Sequence, residues 1–391
     1  MKKEWQTKKL GEVIQLVSGQ HIDAKDYNTD SRGVGYLTGP SDFGSINPII
    51  SKWTEFPKVK AKLGDILITV KGSGVGKINL LDQDEVAISR QLMAVRVTRA
   101  EPRFVYAFLS STFDHFQSES TGAAIPGISR EQVLGMKIAV PPLPEQQRIV
   151  GILDEAFESI ATAKVNAEKN LKNARALFES HLHSVFTHRG EGWVEKSLAE
   201  LCDPSRGITY GVIKLGKEVQ DGVPCLRTSN VRWLRIETKG MKRIAPALSA
   251  EYSRTILRGG EILVNVRGTL GGVAVVGSEM IGWNVSREVA MVPINPSRIN
   301  PIFLSYLIGS GLSQKWLGGV KKGAAYVGIN LEDLRLLPVS APKLDEQSKI
   351  VNHLDTLNEE TQRLASIYQQ KLAALDALKK SLLHQAFTGE L

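Results

Sequence analysis

The chain has 391 residues, 42% of them apolar, with 49 Lys+Arg against 41 Asp+Glu, a formal net charge of +8 and a pI near 9.3. That length exceeds one ordinary core and predicts two domains or more, and the mild basic excess points to a polyanionic partner. No apolar run approaches the ~18 residues of a membrane span and no secretory pattern opens the sequence, so a soluble, cytoplasmic protein with no membrane partner is expected.

Residues 1–144 read as a compact α+β globule. Asp65–Val70 is β-branched and flanked by glycine, as a short strand would be, and Val105–Ser110 reads as helix. Between them, KGSGVGKINL (Lys71–Leu80) looks like a phosphate loop. Such a loop needs glycine, four residues, then Gly-Lys-Ser/Thr. Here Lys71 occupies the place of the first glycine and Ile78 that of the magnesium-binding hydroxyl. The residues after it read as a strand, so no helix N-terminus would face a phosphate. The stretch predicts a strand–glycine turn–strand hairpin with Lys71 at its edge.

Residues 145–188 change character. From Glu145 to Thr187 there is no proline and Gly151 is the only glycine. Ile149, Leu153, Ala156, Ile160, Ala163, Ala167, Leu171, Ala174, Leu177 and Leu182 recur every three or four residues, which predicts one long helix. Its His181, His183 and His188 make no metal set, because residues two apart do not share a helix face. Residues 189–345 read as a second α+β globule, with a strand over Glu261–Val266 and a helix over Ile302–Ile308. Its cysteines, Cys202 and Cys225, match no metal or redox spacing and read as reduced structural thiols. Residues 346–391 form a second helix with a heptad-like seam: Ile350, Leu354, Leu357, Thr361, Leu364, Tyr368, Leu372, Leu375, Leu378 and Leu382. About 40 residues make a rod of about 60 Å, too long for a small domain. One apolar stripe needs a partner, and the nearest is the other rod; a shared bundle core is the alternative.

The second half repeats the first. LGDILITVKGSGVG (Leu63–Gly76) matches GGEILVNVRGTLGG (Gly259–Gly272), Ser89-Arg90 matches Ser286-Arg287, and GAAIPGIS (Gly122–Ser129) matches GAAYVGIN (Gly323–Asn330). PPLPEQQRIVGILD (Pro141–Asp154) matches APKLDEQSKIVNHLD (Ala341–Asp355), and the offset grows from 188 to 201 along the chain, as loop insertions between shared elements would produce. The charge follows the repeat. Residues 1–144 carry 18 basic against 15 acidic side chains and residues 189–345 carry 21 against 14, while each helical segment carries 5 against 6. Two basic globules on a neutral spacer suit duplex DNA. No Ser/His/Asp or Cys/His motif, no Asn-Pro-Pro-aromatic tetrapeptide, no methyl-donor loop and no nuclease or helicase signature appears, so the chain reads as a reader and organiser rather than a catalyst.

The paired P-P-L-P-E-Q-Q-R-I-V and P-K-L-D-E-Q-S-K-I-V segments each lead a long helix, the chain ends in L-L-H-Q-A-F-T-G-E-L, and each globule carries G-D/E-I-L followed by K/R-G-S/T. Together, over essentially the whole chain, these resemble the specificity subunit of a type I restriction-modification system. The resemblance implies two tandem pseudo-symmetric target-recognition globules, 1–144 and 189–345, separated by two long helices, 145–188 and 346–391, forming an antiparallel coiled coil. Each globule would read one half of a split double-stranded DNA target, the helices would set the gap, and the chain would dock two methyltransferase subunits and the restriction motor-nuclease subunits. Those partners would use S-adenosylmethionine, ATP and magnesium on an adenine target, and this chain would hold no cofactor. A specificity subunit of a related system with a fused methyltransferase-nuclease partner, a nucleotide hydrolase and a stand-alone DNA-binding protein are the other readings.

Base contacts belong in the segments that vary between framework strands, and phosphate contacts need Lys, Arg, hydroxyl or backbone N–H donors. In the first globule the candidates are Ser18, Gln20 and Lys25 in the loop Ser18–Lys25, Thr38 and Ser41 in Thr38–Ser45, and Lys71, Ser73, Lys77 and Arg90. In the second they are Arg206, Thr209 and Tyr210, then Arg227, Thr228, Asn230 and Arg232 in L-R-T-S-N-V-R-W, and Arg267, Thr269 and Arg287. The recurring Ser-Arg pair suggests a framework role or a shared phosphate contact.

Overall fold

The computed structural model describes residues 5–119, 126–320 and 328–391, so the first parts of the two GAA motifs lie outside the described residues. The chain divides into two compact units, Met1–Glu168 with Gln370–Leu391, and Lys169–Gln369. Each unit contains one globule and a portion of both long helices.

In the first unit, Gln6–Lys9 pairs antiparallel with Lys137–Val140, which brings the two ends of the globule together. Inside are two four-stranded sheets. One is antiparallel, in the order Ile14–Ser18, Leu92–Val97, Ile66–Thr69, Ile78–Leu80. The other runs Trp53–Thr54, Val34–Leu37, Glu85–Ile88, Lys60–Lys62, with its central pair parallel. The strand Ile66–Thr69 is buried on both faces, and strand alternation divides its side chains. Leu67 meets Leu37, Val86 and Ile88 of the second sheet. Ile66 and Ile68 join the core that includes Phe104, Val105 and Phe108 of helix α1 (Pro102–Ser111). The segments expected to form a hairpin do so: Ile66–Thr69 pairs with Ile78–Leu80, and Ile262–Asn265 with Val273–Val275. Short helices α2 (Phe113–Glu119) and α3 (Arg130–Gly135) follow α1.

The second unit repeats this plan. Val194–Ser197 pairs with Pro338–Ala341, and an antiparallel sheet runs Thr209–Tyr210, Val289–Val292, Ile262–Asn265, Val273–Val275. The second sheet keeps three strands, Lys242–Ile244, Val223–Leu226 and Asn284–Val285, again with one parallel pair.

The long helices are α4 (Leu143–Thr187) and α9 (Leu344–Thr388). Both begin two residues before the expected starts; α4 takes Pro144 into its first turn, where proline's missing N–H has no partner to lose, and α9 starts just after Pro342. They run antiparallel within each unit. In the first, Lys164 pairs with Asp376 at 2.8 Å and Lys379 lies 4.9 Å above the Phe157 ring. In the second, His181 and His353 meet Nε2 to Nε2 at 3.1 Å. The seam departs from the expected spacing at two places. Leu177 is 51% exposed and Leu378 48% exposed, while Phe178, Leu383 and Ala386 are buried. At these ends the helix packs on a globule as well as on its partner, so its buried face rotates: Phe178 stacks against Trp233 and Tyr306, and Phe387 against Phe104 and Phe108.

The repeated glutamine of the P-E-Q and D-E-Q segments explains that motif. Gln146 accepts from the Glu101 N–H and donates to the Pro141 carbonyl, both at 2.8 Å. Gln347 does the same with the Asn300 N–H and the Pro342 carbonyl, also at 2.8 Å. Glu101 caps α1 through the Phe104 N–H, and Asn300 caps α6 (Pro301–Gly309) through Ile302 and Phe303. The two glutamines therefore tie the start of a long helix to the cap of a globule helix. Helices α5 (Pro246–Glu251), α7 (Gly311–Gly319) and α8 (Leu331–Arg335) complete the second unit. Among the described residues no helix is long and apolar enough to cross a membrane.

Candidate nucleic-acid interface

Three framework segments converge at one place in each globule. In the first, the Gly19 N–H bonds to the Leu92 carbonyl and the Gln20 N–H to the Ile88 carbonyl, both at 3.0 Å, and the Val70 N–H bonds to the Gln91 carbonyl at 2.8 Å. In the second, the Val212 N–H bonds to the Val285 carbonyl at 2.7 Å, the Arg287 N–H to the Val212 carbonyl at 2.9 Å, and the Val266 N–H to the Glu288 carbonyl at 2.9 Å. The approach is so close that only glycine fits at the crossing. A Cβ on Gly19 would lie 2.1 Å from the Ser89 carbonyl oxygen, and one on Gly211 would lie 1.8 Å from that of Val285. Ser89 and Ser286 are buried behind this crossing, and Arg90 and Arg287 follow them at its rim.

In the first globule this crossing gathers several candidates. Ser18 is exposed at the end of its strand, and its Oγ lies 3.4 Å from Arg130 Nη1; Gln20 is exposed two residues on. Lys71, Ser73, Lys77 and Arg90 are exposed on the glycine hairpin and beside it. Pro40 abuts the hairpin, because a Cβ on Gly74 would lie 2.6 Å from Pro40 Cγ, so the neighbouring exposed Ser41 belongs to the same group. Thr38 has a different place. Its N–H and hydroxyl donate to the buried Asp42 carboxylate at 2.6 and 2.8 Å, and its carbonyl accepts from Ser89, so it braces the loop. Lys25 is exposed on a short turn tied to Thr54 in the second sheet, and no described contact joins it to the others.

In the second globule the crossing opens a groove of about 430 Å³ lined by Thr209, Tyr210, Arg254, Arg267 and Arg287 among others. The Arg267 guanidinium stands 5.1 Å from the centre of the Tyr210 ring, a cation–π stack that presents its fork to the groove. Arg287 Nε reaches Glu288 at 3.3 Å. Thr269 is exposed on the hairpin turn, and Thr228 is adjacent, its Oγ1 4.0 Å from where a Cβ on Gly268 would stand. Arg227 reaches the Gly240 carbonyl at 2.9 Å.

Three candidates fall elsewhere. Arg206 pairs with the buried Glu261 at 2.7 Å and donates to the carbonyls of Arg254 and Ile256 at 3.3 and 3.0 Å. Its partner explains the position. The first globule has Asp65 at the matching place, and there Arg96 supplies the guanidinium at 2.7 Å, with its own pKa raised by that hydrogen bond. Arg206 is thus a structural ion-pair partner. Asn230 is 1% exposed; its amide accepts from the Arg227 N–H at 3.1 Å and donates to the Glu237 carbonyl at 2.9 Å, closing the hairpin Val231–Arg232/Arg235–Ile236. Arg232 leaves that hairpin toward a separate groove of about 660 Å³ against α4 and α9, sharing Glu237 with Arg235. The bond from Arg232 holds the Glu237 carboxyl below its ordinary pKa.

The sequence reading passed over Arg254, and the signal was present. From the strand Trp53–Thr54, paired with Val34–Leu37, to the turn where Lys62 N–H meets Asp65 there are seven residues, 55–61. From Lys242–Ile244, paired with Val223–Leu226, to the matching turn at Arg258 and Glu261 there are thirteen, 245–257. The six extra residues make room for α5 and the 3-10 turn Ser253–Thr255, and the segment Glu251–Thr255 forms one wall of the groove. Among the described residues no group of three or more His, Cys, Asp or Glu is placed to hold a metal ion.

The family model of the type I restriction modification DNA specificity domain matches residues 2–173 and again 190–370. The chain is similar to the type I restriction enzyme EcoBI specificity subunit of Escherichia coli, with 24% identity over 319 residues, 76% of this chain and 67% of that protein. It is also similar to the type I restriction enzyme MjaVIII specificity subunit of Methanocaldococcus jannaschii, with 21% identity over 409 residues, 99% of this chain and 93% of that protein. Among solved structures, a chain from a type I R-M system studied for complex assembly and conformational transition superposes with a TM-score of 0.79 at 22% identity, covering 100% of this chain and 99% of the other. The HsdS subunit from Thermoanaerobacter tengcongensis gives a TM-score of 0.63 at 21% identity, covering 100% and 98%. At these identities the likeness is one of fold.

Proposed function

The chain belongs to the type I restriction-modification DNA specificity family, and on that premise we propose a division of labour in which each globule reads one half of a split DNA target. The chain acts as a sequence-specific DNA-binding specificity subunit of a type I restriction-modification complex. The observation that carries the two-part reading is the duplicated crossing. Both globules place basic and hydroxyl side chains at one framework position, with Lys71 and Arg90 exposed and Arg267 and Arg287 half-buried, while the residues around that position differ. Phosphate contacts from such a shared framework position the protein, and the differing residues read two different half-sites. The spacer helices set the gap between them.

Methyltransferase and restriction subunits are the protein partners in this proposal, with two methyltransferase copies suited to a twice-repeated docking framework. Catalysis belongs to those partners, which would bring S-adenosylmethionine, ATP and magnesium, and the complex works in the cytoplasm. Family membership favours this arrangement over a fused methyltransferase-nuclease partner or a stand-alone DNA-binding protein.

The test is genome-wide mapping of methylated bases in a host that expresses the chain together with the methyltransferase subunit it serves. The expected result is one bipartite motif with unlike halves and a fixed gap. A continuous motif, or methylation unchanged when this chain is deleted, would refute the proposal.

A further inference from the structure

The internal duplication works as a control experiment on the second globule's groove. Lys71 and Arg267 occupy the same framework position, each bridged to the glycine of a matching segment, Gly127 or Gly328. Arg90 and Arg287 are a second matched pair. A cation kept by two globules that read different sequences must serve the part of DNA that does not vary, its phosphates. The exchange of lysine for arginine at 71 and 267 fits a point-charge contact better than a bidentate one.

The residues unique to one globule have the opposite logic. Tyr210 pairs with Ala290 where Ser18 pairs with Met93, so a ring replaces a hydroxyl at one register position. Arg254 stands on Pro246–Thr255, a helix and 3-10 turn in a stretch six residues longer than its counterpart in the first globule, and its exposed side chain makes no hydrogen bond or ion pair among the described residues. Its main chain, by contrast, is held firmly. Arg206 binds the Arg254 carbonyl, and the buried Asn284 accepts from Thr255 at 2.7 Å and donates to Ser249 Oγ at 3.1 Å. A fixed backbone carrying an uncommitted guanidinium suits base reading, because no backbone freedom is lost on binding and the fork is not already engaged.

We infer that Arg254 reads a guanine of the second half-site through its O6 and N7 edge, beside the Tyr210 ring, while Arg267 and Arg287 hold the DNA backbone. This rests on the two-globule reading proposed above, and Arg206 is then a positioning residue for Arg254. Arginine is the side chain whose fork matches guanine in the major groove.

The test maps methylation by the full complex with wild-type chain, Arg254→Ala, Arg254→Lys and Arg267→Ala, and measures duplex binding at several salt concentrations. Arg254→Ala should keep the first half-site and the gap but relax one G·C position of the second, with discrimination there falling about 5- to 150-fold. Arg254→Lys, which keeps the charge and loses the fork, should relax the same position, and it answers the question if the alanine variant folds poorly. Arg267→Ala should weaken binding to all duplexes alike and lower the salt slope by about 1, with sequence preference kept. A second half-site without a G·C pair, an unchanged motif in both Arg254 variants, or relaxation caused by Arg267→Ala alone would overturn the assignment. A wild-type complex with no bipartite motif would instead remove the reading beneath it.

Discussion

Gln347 offers a direct test of how a globule is tied to its long helix. It is 1% exposed and makes two bonds of 2.8 Å, one accepted from the Asn300 N–H and one donated to the Pro342 carbonyl. Gln347→Ala removes both and leaves two backbone groups in a region that water reaches poorly. An unpaired buried group costs about 1–3 kcal/mol, so the pair should cost about 2–6 kcal/mol. For a unit of this size each kcal/mol shifts Tm by about 2–4 °C, giving a fall of about 4–24 °C. Calorimetry of the full chain measures it, with the two units expected as separable transitions. Gln347→Ala should lower the transition of the unit Lys169–Gln369, and Gln146→Ala should lower the other by a similar amount. A shift below about 2 °C in both variants would show that these bonds carry no weight and that helix packing alone holds the junction.

Further outcomes follow from other parts of the structure. Gly211→Ala would put a Cβ 1.8 Å from a backbone oxygen, so the strand must move; DNA affinity should fall at least tenfold, measured by fluorescence anisotropy, while Gly207→Ala, with nothing within 4 Å of its Cβ, should leave it unchanged. Burial pushes the Cys202 and Cys225 thiols from the ordinary 9.0 up to about 12. Both should resist a thiol reagent at pH 8 until the protein unfolds. Because the unfolded thiols ionise first, the stability they contribute is whole below pH 9.0 and is lost as pH rises toward about 12, which denaturant titrations across that range would reveal. Lengthening α4 and α9 each by one turn should change the gap in the methylation motif and leave both half-sites intact; altered half-sites with the same gap would defeat the spacer model.

Much of the framework was legible in the sequence because it rests on local signals repeated twice. The glycine hairpins, the helices after Glu101 and Asn300 and the two long helices all declare themselves through periodicity, caps and breakers. The seam failed at Leu177 and Leu378, because a period of three and four describes a helix with one partner and these ends have two. The candidate site was legible as a neighbourhood more than as residues. Arg206 and Asn230 have the right chemistry for DNA, yet their partners, Glu261 and the 227–237 turn, lie elsewhere in the sequence or in the backbone, where residue type carries no sign of them. Gly19 and Gly211 went unmatched because the feature they share is a distance to a carbonyl oxygen.

The discontinuity of the first unit has a consequence for how the chain is made. Leu383, Ala386 and Phe387 pack into the core built by Phe104 and Phe108, but they are synthesised only after all of Lys169–Gln369. The first globule therefore emerges early with one wall of its core missing, and it waits through the synthesis of the entire second unit before that wall arrives. A stop codon near residue 370 should consequently harm the unit nearest the N-terminus.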